Sequence, residues 1–418
     1  MVSLTSNGMK IFDYNNYHFV GIGGIGVSAI ARMLFLQGKE VAGSDSGQSE
    51  ITDDLQELGI KVFIGHKAEN LEKDTEVVIY SVAVKEDNPE ILEAQKRNLI
   101  CLSNPETLGE LSKEMYTIAV SGTHGKTTTT AMIGHILKKA GLDPTVIVGS
   151  KILGENTNFM GGKSKYLVVE ACEYKRSFLN LSPSILVITN IEADHLDYYK
   201  DLDDIKNAFK ELEQKVPKKE FIVKEPDYKK IKTDFSLLIP GKHNILNAQA
   251  AIKTAEILGV PEEKAKEYLK DFKGTWRRLE YKGEKEGNVF YDDYAHHPTE
   301  IKASLSALRQ KYSDRELVCV FEPHQQGRMK MFFDDFVEAL KLADRVFTAP
   351  IFITRETDDG ITTNKTLANA VNKFVPALSV QNPEELKKSL QKINSPKPLC
   401  IVLMGAGNIY KWTSELIK

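Results

Sequence analysis

The run SGTHGKTTTT at residues 121–130 constrains the fold more than any other feature of the chain. It follows a short apolar stretch, residues 116–121, that predicts a strand, and it opens a helical pattern reaching residue 141. A glycine-rich turn between strand and helix, with Lys-Thr at the helix start, is built to receive phosphate. Gly122 and Gly125 let the backbone amides around Thr123 and His124 wrap a β-phosphate. Lys126 reaches the β and γ oxygens, and the Thr127 hydroxyl, with Thr128 beside it, is placed to ligate Mg²⁺. The spacing is shorter than the standard phosphate-loop pattern, whose first glycine would fall at Val120. A Gly/Thr-rich turn serving packing alone is the bland alternative, and the Lys-Thr placement argues against it.

Such a loop belongs in a parallel α/β sheet, and the rest of the chain reads that way. Short apolar runs at 17–21, 40–44, 61–64, 77–82 and 99–102 predict strands, with helices near 27–37 and 104–115. A second group of strands is expected at 116–121, 166–170, 185–190 and 220–223, followed by helices near 244–258 and 262–272. A third is expected at 289–291, 316–321, 345–349 and 399–404. A chain of 418 residues exceeds one ordinary core, so three successive α/β units are expected, at 1–114, 115–273 and 274–418.

Net charge is −3 with scattered Lys and Arg, which argues against nucleic-acid or membrane partners. Four separated cysteines form no CxxC pair or disulfide framework, no run of about 18 apolar residues occurs, and the N-terminus lacks a signal pattern. A cytoplasmic location is expected.

Other strand ends carry the remaining chemistry. GIGGIG, residues 21–26, lies between a strand and a helix, and Asp45 ends the next strand. Gly21, Gly23, Gly24 and Gly26 suit a diphosphate at a helix N-terminus, and Asp45 suits a ribose or sugar hydroxyl; NAD, FAD and UDP-sugars all fit. Glu170 ends a strand, and TNIEADH places Asn190 and His195 after another, where ligand groups converge beside a phosphate loop. Taken singly, each is more often a cap or a surface group. In GKHNILNAQAA, His243, Asn244 and Asn247 open a helix; Asn244 reads either as its N-cap or as a contact to a base or ribose. DDYAHHPTEI places Asp293, Tyr294, His296 and His297 at a strand-to-helix turn, and FEPHQQGR places His324 and Arg328 at another. Adjacent His296 and His297 point differently and make a poor Zn²⁺ pair.

These motifs, in this order and with MGAGNI at residues 404–409, resemble the Mur ligase family over essentially the whole chain. The resemblance implies an N-terminal Rossmann-like UDP-binding domain, a central P-loop ATPase domain with a mainly parallel sheet, and a C-terminal Rossmann-like domain. It implies that the first glycine loop and Asp45 hold a UDP-sugar. Lys126 and Thr127 would hold ATP phosphates and a first Mg²⁺, with Glu170 on that metal and His195 on a second. His243, Asn244 and Asn247 look like adenine contacts, while Arg278, Asp293 and Tyr294 look like groups closing over the nucleotide. His296, His324 and Arg328 fall where the incoming substrate is held. The segment EACEYKRSF, residues 170–178, departs from the acid-rich version many relatives carry, and Cys172 is not read as catalytic.

The implied chemistry is ATP-driven amide formation between the lactyl carboxylate of UDP-N-acetylmuramic acid and an amino acid, L-alanine being the expected amine. Lys126, His195, Asp293, His324 and Arg328 are the candidate catalytic groups. A ligase that adds a peptide to recycled muramic acid is the nearest alternative within the family. A nicotinamide dehydrogenase is the alternative from another class; hydride transfer needs no γ-phosphate grip, which the second loop supplies.

Overall fold

The structure is a computed structural model, described over residues 10–155, 157–354 and 363–418. The chain divides into two compact units: residues up to Ser236 with Leu246–Phe272, and Leu237–Ile245 with Lys273–Lys418.

The first unit contains two sheets. Strands β1 (Asn16–Val20), β2 (Glu40–Asp45), β3 (Lys61–Ile64), β4 (Val77–Tyr80) and β5 (Ile100–Ser103) form an all-parallel sheet in the order β3-β2-β1-β4-β5. Helices α1 (Ile25–Leu36), α2 (Glu50–Glu57), α3 (Pro89–Lys96) and α4 (Asn104–Glu114) connect them. Capping fixes where these helices begin. Ser49 and Thr52 form a capping box on α2, Asn88 with Pro89 starts α3, and Ser103 and Glu106 cap α4.

The second sheet runs β11-β10-β6-β9-β7-β8, built from β6 (Tyr116–Ser121), β7 (Thr145–Ile152), β8 (Thr157–Met160), β9 (Tyr166–Glu170), β10 (Ile185–Ile188) and β11 (Ile222–Val223). All its pairs are parallel except β7 with β8. Around it lie α5 (Lys126–Lys139), α6 (Leu202–Glu213), α7 (Glu225–Tyr228), α8 (Lys242–Ile257) and α9 (Glu262–Leu269). One continuous apolar core joins both sheets, running from Phe19, Ile30 and Leu34 through Ile147 and Phe159 to Val169, Leu186 and Phe209. The Asn158 amide also donates to the Ile25 carbonyl and, at 3.2 Å, to the Ser28 hydroxyl.

The second unit holds one sheet in the order β12-β13-β17-β14-β15-β16. Its strands are β12 (Glu280–Lys285), β13 (Asn288–Asp293), β14 (Glu316–Phe321), β15 (Arg345–Thr348), β16 (Ala377–Ser379) and β17 (Leu399–Met404). Only β12 with β13 is antiparallel. Leu317, Cys319 and Phe321 face α10 (Pro298–Lys311), α11 (Gln326–Met331), α12 (Phe333–Leu340) and α13 (Asn364–Val371). Val318, Val320 and Leu403 face α14 (Pro383–Gln391) and α15 (Tyr410–Ile417). Both faces are covered, which is why these strands read as unbroken apolar runs.

Strands β7, β8, β12 and β16 were not expected from the sequence. β12, EYKGEK, is a charged antiparallel edge strand, and β16 has three residues, so neither carries a buried apolar run. β13 extends to Asp293, which places both aspartates within the strand. α8 begins at Lys242, so Asn244 lies in its first turn and not at its N-cap; its amide donates to the Pro240 carbonyl at 2.7 Å. Among the described residues, no helix is long and apolar enough to cross a membrane.

Candidate active site

β6 ends at Ser121, and the chain turns through Gly122 (φ 132°) and Gly125 (φ 82°) before α5 begins at Lys126. A side chain at either glycine would collide. A Cβ on Gly122 would lie 2.0 Å from Thr189 Oγ1, and one on Gly125 would lie 2.4 Å from Asn247 Oδ1. Asn190 holds the loop from the end of β10. Its Oδ1 accepts from the His124 amide at 2.9 Å, and its Nδ2 donates to the His124 carbonyl at 3.0 Å. The Thr189 hydroxyl donates to that same carbonyl at 2.6 Å, and Thr123 Oγ1 accepts from the Glu192 amide at 2.8 Å. Asn190 therefore acts on the loop's backbone, a role its position after a strand did not disclose. Thr128 is buried in the first turn of α5.

Four groups expected from sequence converge in this unit. The Thr127 hydroxyl donates to Glu170 Oε2 at 3.2 Å, and the Gly149 amide donates to Glu170 Oε1 at 2.5 Å. Lys126 Nζ lies 3.0 Å from Glu173 Oε1 and 2.9 Å from Oε2, and it also donates to the carbonyls of Gly122 and Thr123. His195 Nε2 is 3.6 Å from Glu173 Oε1, and its ring lies 4.8 Å from that of Tyr174. Burial alone would depress the Lys126 ammonium, but the Glu173 carboxylate outweighs it and holds the pKa above the usual lysine value. Glu173 was missed in the sequence because its neighbours Cys172, Tyr174 and Lys175 give it no recognisable acidic company. Desolvation, followed by the Glu173 charge, pushes the Cys172 thiol up to about 11, which disfavours a thiolate.

Two oxygens that share one Mg²⁺ at about 2.1 Å in adjacent octahedral positions lie about 3.0 Å apart. The Thr127–Glu170 separation matches that spacing, and both donors are hard oxygens. The residues present therefore fit the metal.

The first glycine loop lies between β1 and α1. Gly21 has φ 77°, and the Gly23 amide donates to Asp45 Oδ2 at 2.9 Å. Gly24 precedes α1, with space for a Cβ only 3.3 Å from the Gly21 carbonyl. Gly26 packs against Asn104, whose Nδ2 would lie 3.1 Å from an added Cβ, so its small size also serves the close approach of α1 to α4.

In the second unit the expected residues form a separate cluster. The Arg278 guanidinium stacks over the Tyr294 ring at 4.7 Å and lies 3.8 Å from Glu300. His296 Nδ1 lies 3.0 Å from the Tyr294 carbonyl and 3.4 Å from Glu300 Oε2. Desolvation pushes His243 down to about 4, against the pull of Glu300, so its ring is neutral at physiological pH. Burial pushes Asp293 up to about 6, opposed by a hydrogen bond with Ser304 and by the Arg278 charge. Arg328 Nη1 lies 3.3 Å from His324 Nδ1, a contact that needs the neutral ring as acceptor. The His324 ring lies 5.5 Å from His296 and stacks on Phe352 at 6.0 Å. Glu300 and Arg277 were missed. Glu300 lies in the first turn of α10, four residues after His296, and Arg277 is buried among Trp276, Tyr294 and Tyr410 while donating to the Gly405 carbonyl.

Three mostly parallel sheets, the second with a glycine-lysine loop at the end of a central strand, define a three-domain α/β enzyme of the ligase class. Residues 16–116 match the model of the Mur ligase catalytic domain, residues 120–232 that of the Mur ligase middle domain, and residues 277–407 that of the Mur ligase glutamate ligase domain. The chain is 41% identical to a UDP-N-acetylmuramate–L-alanine ligase of Clostridium tetani, over 97% of this chain and all of the relative. It is also 41% identical to the same-named protein of Caldicellulosiruptor bescii, over 97% and 98% of the two chains. A crystal structure of a UDP-N-acetylmuramate-alanine ligase from Thermotoga maritima superposes with a TM-score of 0.81 at 29% identity, covering 97% of this chain and 98% of that one. A murein peptide ligase from Psychrobacter arcticus shares the fold, with a TM-score of 0.68 at 23% identity over 96% and 98% of the chains. The chain belongs to the Mur ligase family.

Proposed function

We propose that this chain joins L-alanine to the lactyl carboxylate of UDP-N-acetylmuramic acid, using ATP and Mg²⁺, in the cytoplasm during peptidoglycan synthesis. The observation that carries the ATP chemistry is the convergence of Lys126, Thr127, Glu170 and His195 at one sheet edge. Identity near 40% over nearly the full length with ligases named for L-alanine supports the choice of amine over a peptide. The likeness to the murein peptide ligase concerns the fold alone. We place the domain boundaries at 1–114, 115–273 and 274–418, one sheet to each.

The first step moves the γ-phosphoryl group of ATP to a carboxylate oxygen of the sugar's lactyl group, giving ADP and an acyl phosphate. The amine nitrogen then attacks the acyl carbon, and the tetrahedral intermediate collapses to amide and inorganic phosphate. Lys126 neutralises charge on the β and γ oxygens, and the amides that open α5 hold the phosphates in line, since the Thr123 and His124 amides are taken by Asn190. Thr127 and Glu170 would hold Mg²⁺, with His195 on a second ion; the metal supplies charge neutralisation on the phosphates. His243, Asn244 and Asn247 would contact adenine, and Arg278 and Tyr294 the nucleotide, while residues 21–26 and Asp45 hold the UDP-sugar. Arg328, with His324 and His296, receives the amino acid, its planar fork matching a carboxylate. The amine must lose a proton before it attacks, and His195, His324 and Asp293 are the candidate acceptors.

ADP release, measured with UDP-N-acetylmuramic acid and a panel of L-alanine, glycine, L-serine and L-alanyl-γ-D-glutamyl tripeptide, tests the reading. L-Alanine should give the highest kcat/KM, and a preference for the tripeptide would move the chain to the peptide-adding activity. Lys126→Ala, which leaves Glu173 buried without its cation, should melt lower and, while folded, lose about 100-fold or more in rate; near-normal ADP release would remove the assignment of the loop.

A further inference from the structure

We propose that Glu173 is a positioning residue of the phosphate loop: it holds Lys126 in the nucleotide-free site and makes nucleotide binding depend on a divalent cation. This rests on the reading of residues 121–130 as the nucleotide site.

Three observations carry it. The first is the seat of the lysine. Both Glu173 oxygens lie within 3.0 Å of Lys126 Nζ, and the side chains are only 4% and 16% exposed. With the Gly122 and Thr123 carbonyls taking its other protons, the ammonium has its three donors engaged inside its own loop. A nucleotide phosphate that takes up Lys126 must therefore displace one of these three acceptors, and Glu173 is the one that carries a competing negative charge.

The second is how the carboxylate is held. Two and three residues after it, Lys175 (φ 52°, ψ 28°) and Arg176 (φ 57°, ψ 24°) are both left-handed, although neither is glycine. Two such residues in succession persist only where the surroundings over-determine them. Here Arg176 reaches Asp204 at 2.8 Å and Glu211 at 2.6 Å, and the Tyr199 hydroxyl donates to the Glu173 carbonyl at 2.5 Å. His195, the residue facing Glu173, is also left-handed at φ 54°. Strain on both sides of one carboxylate fixes its position against the loop.

The third is charge. Once Lys126 turns to the phosphates, Glu173 and Glu170 remain beside a polyanion, with His195 as the nearest further ligand group. Free nucleotide therefore meets repulsion that nucleotide with a divalent cation does not. A merely structural ion pair would stabilise the fold, yet removing it would not tighten the binding of metal-free nucleotide.

The test is equilibrium binding of ADP to the full chain by calorimetry, in EDTA and in saturating Mg²⁺, for the unaltered protein, Glu173→Gln and Glu173→Asp. Glu173→Gln should bind ADP in EDTA about tenfold or more tightly than the unaltered protein, and the ratio of the two dissociation constants should shrink accordingly. Glu173→Asp, which withdraws the charge by one methylene, should give an intermediate ratio. An unchanged ratio in Glu173→Gln overturns the proposal. If Glu173→Gln does not fold, Glu173→Asp carries the same test, and an unchanged ratio in it is equally fatal. Absence of ADP binding by the unaltered protein in both conditions would instead overturn the assignment of the loop.

Discussion

Thr127 and Glu170 come from different strand ends, yet the threonine hydroxyl donates to the carboxylate at 3.2 Å, the spacing of two adjacent ligands on one Mg²⁺. Glu170 is fixed there by the Gly149 amide, which binds its other oxygen. Glu170→Gln keeps an acceptor for Gly149 and loses the charge. The Mg²⁺ concentration for half-maximal rate should rise about tenfold or more. Coincident titration curves for the two proteins would return Glu170 to a purely structural role.

Gly122 and Gly141 both have positive φ, at 132° and 77°, but only the first is enclosed. Gly122→Ala drives a methyl to 2.0 Å from Thr189 Oγ1, and should lower stability by about 1–3 kcal/mol and abolish most ADP release. Nothing lies within 4 Å of a Cβ on Gly141, beyond the end of α5, so Gly141→Ala should lose about 1 kcal/mol and keep its activity. Thermal melts together with ADP release check the pair, and equal effects would contradict the packing described for the loop.

Arg328 lies beside His324, with Nη1 3.3 Å from Nδ1. Replacing it by lysine keeps the charge but removes the planar fork. Arg328→Lys should raise the KM for L-alanine about tenfold while leaving that for ATP nearly unchanged. A matching rise in both would mean that Arg328 does not select the amino acid.

Asp292 is buried at the end of β13, accepts from the Thr413 hydroxyl and faces Lys282, Glu280 and Arg277. Burial pushes its carboxyl from 3.8 to about 7. A raised carboxyl favours the protonated native state, so this contribution is complete below pH 3.8 and is lost as pH rises through about 7. Moving a carboxyl that far corresponds to up to about 4 kcal/mol. Asp292→Asn should match the unaltered protein near pH 4 and melt higher above pH 7. Parallel melting curves across this range would show that Asp292 does not titrate there.

The elements read correctly from sequence are those whose cause is local. β6, β9, β14 and β17 appear at their expected bounds because each is an apolar run closed by a turn. The loop after β6 was legible because strand, glycines, Lys126 and Thr127 are neighbours in the chain. Edge strands such as β12 were not, since a strand with one exposed side needs no apolar run.

The sequence by itself determined most of the parallel strands, the phosphate loop and the residue types gathered at strand ends. Only the tertiary structure decided their partners. It set Glu173 against Lys126 across 47 positions, turned both ends of the Asn190 amide onto the His124 backbone, and merged the cores of the first two sheets through Ile147, Phe159 and α1. Strand and turn formation depends on neighbours within a few residues, whereas pairing across a sheet depends on which distant strand ends the fold brings side by side.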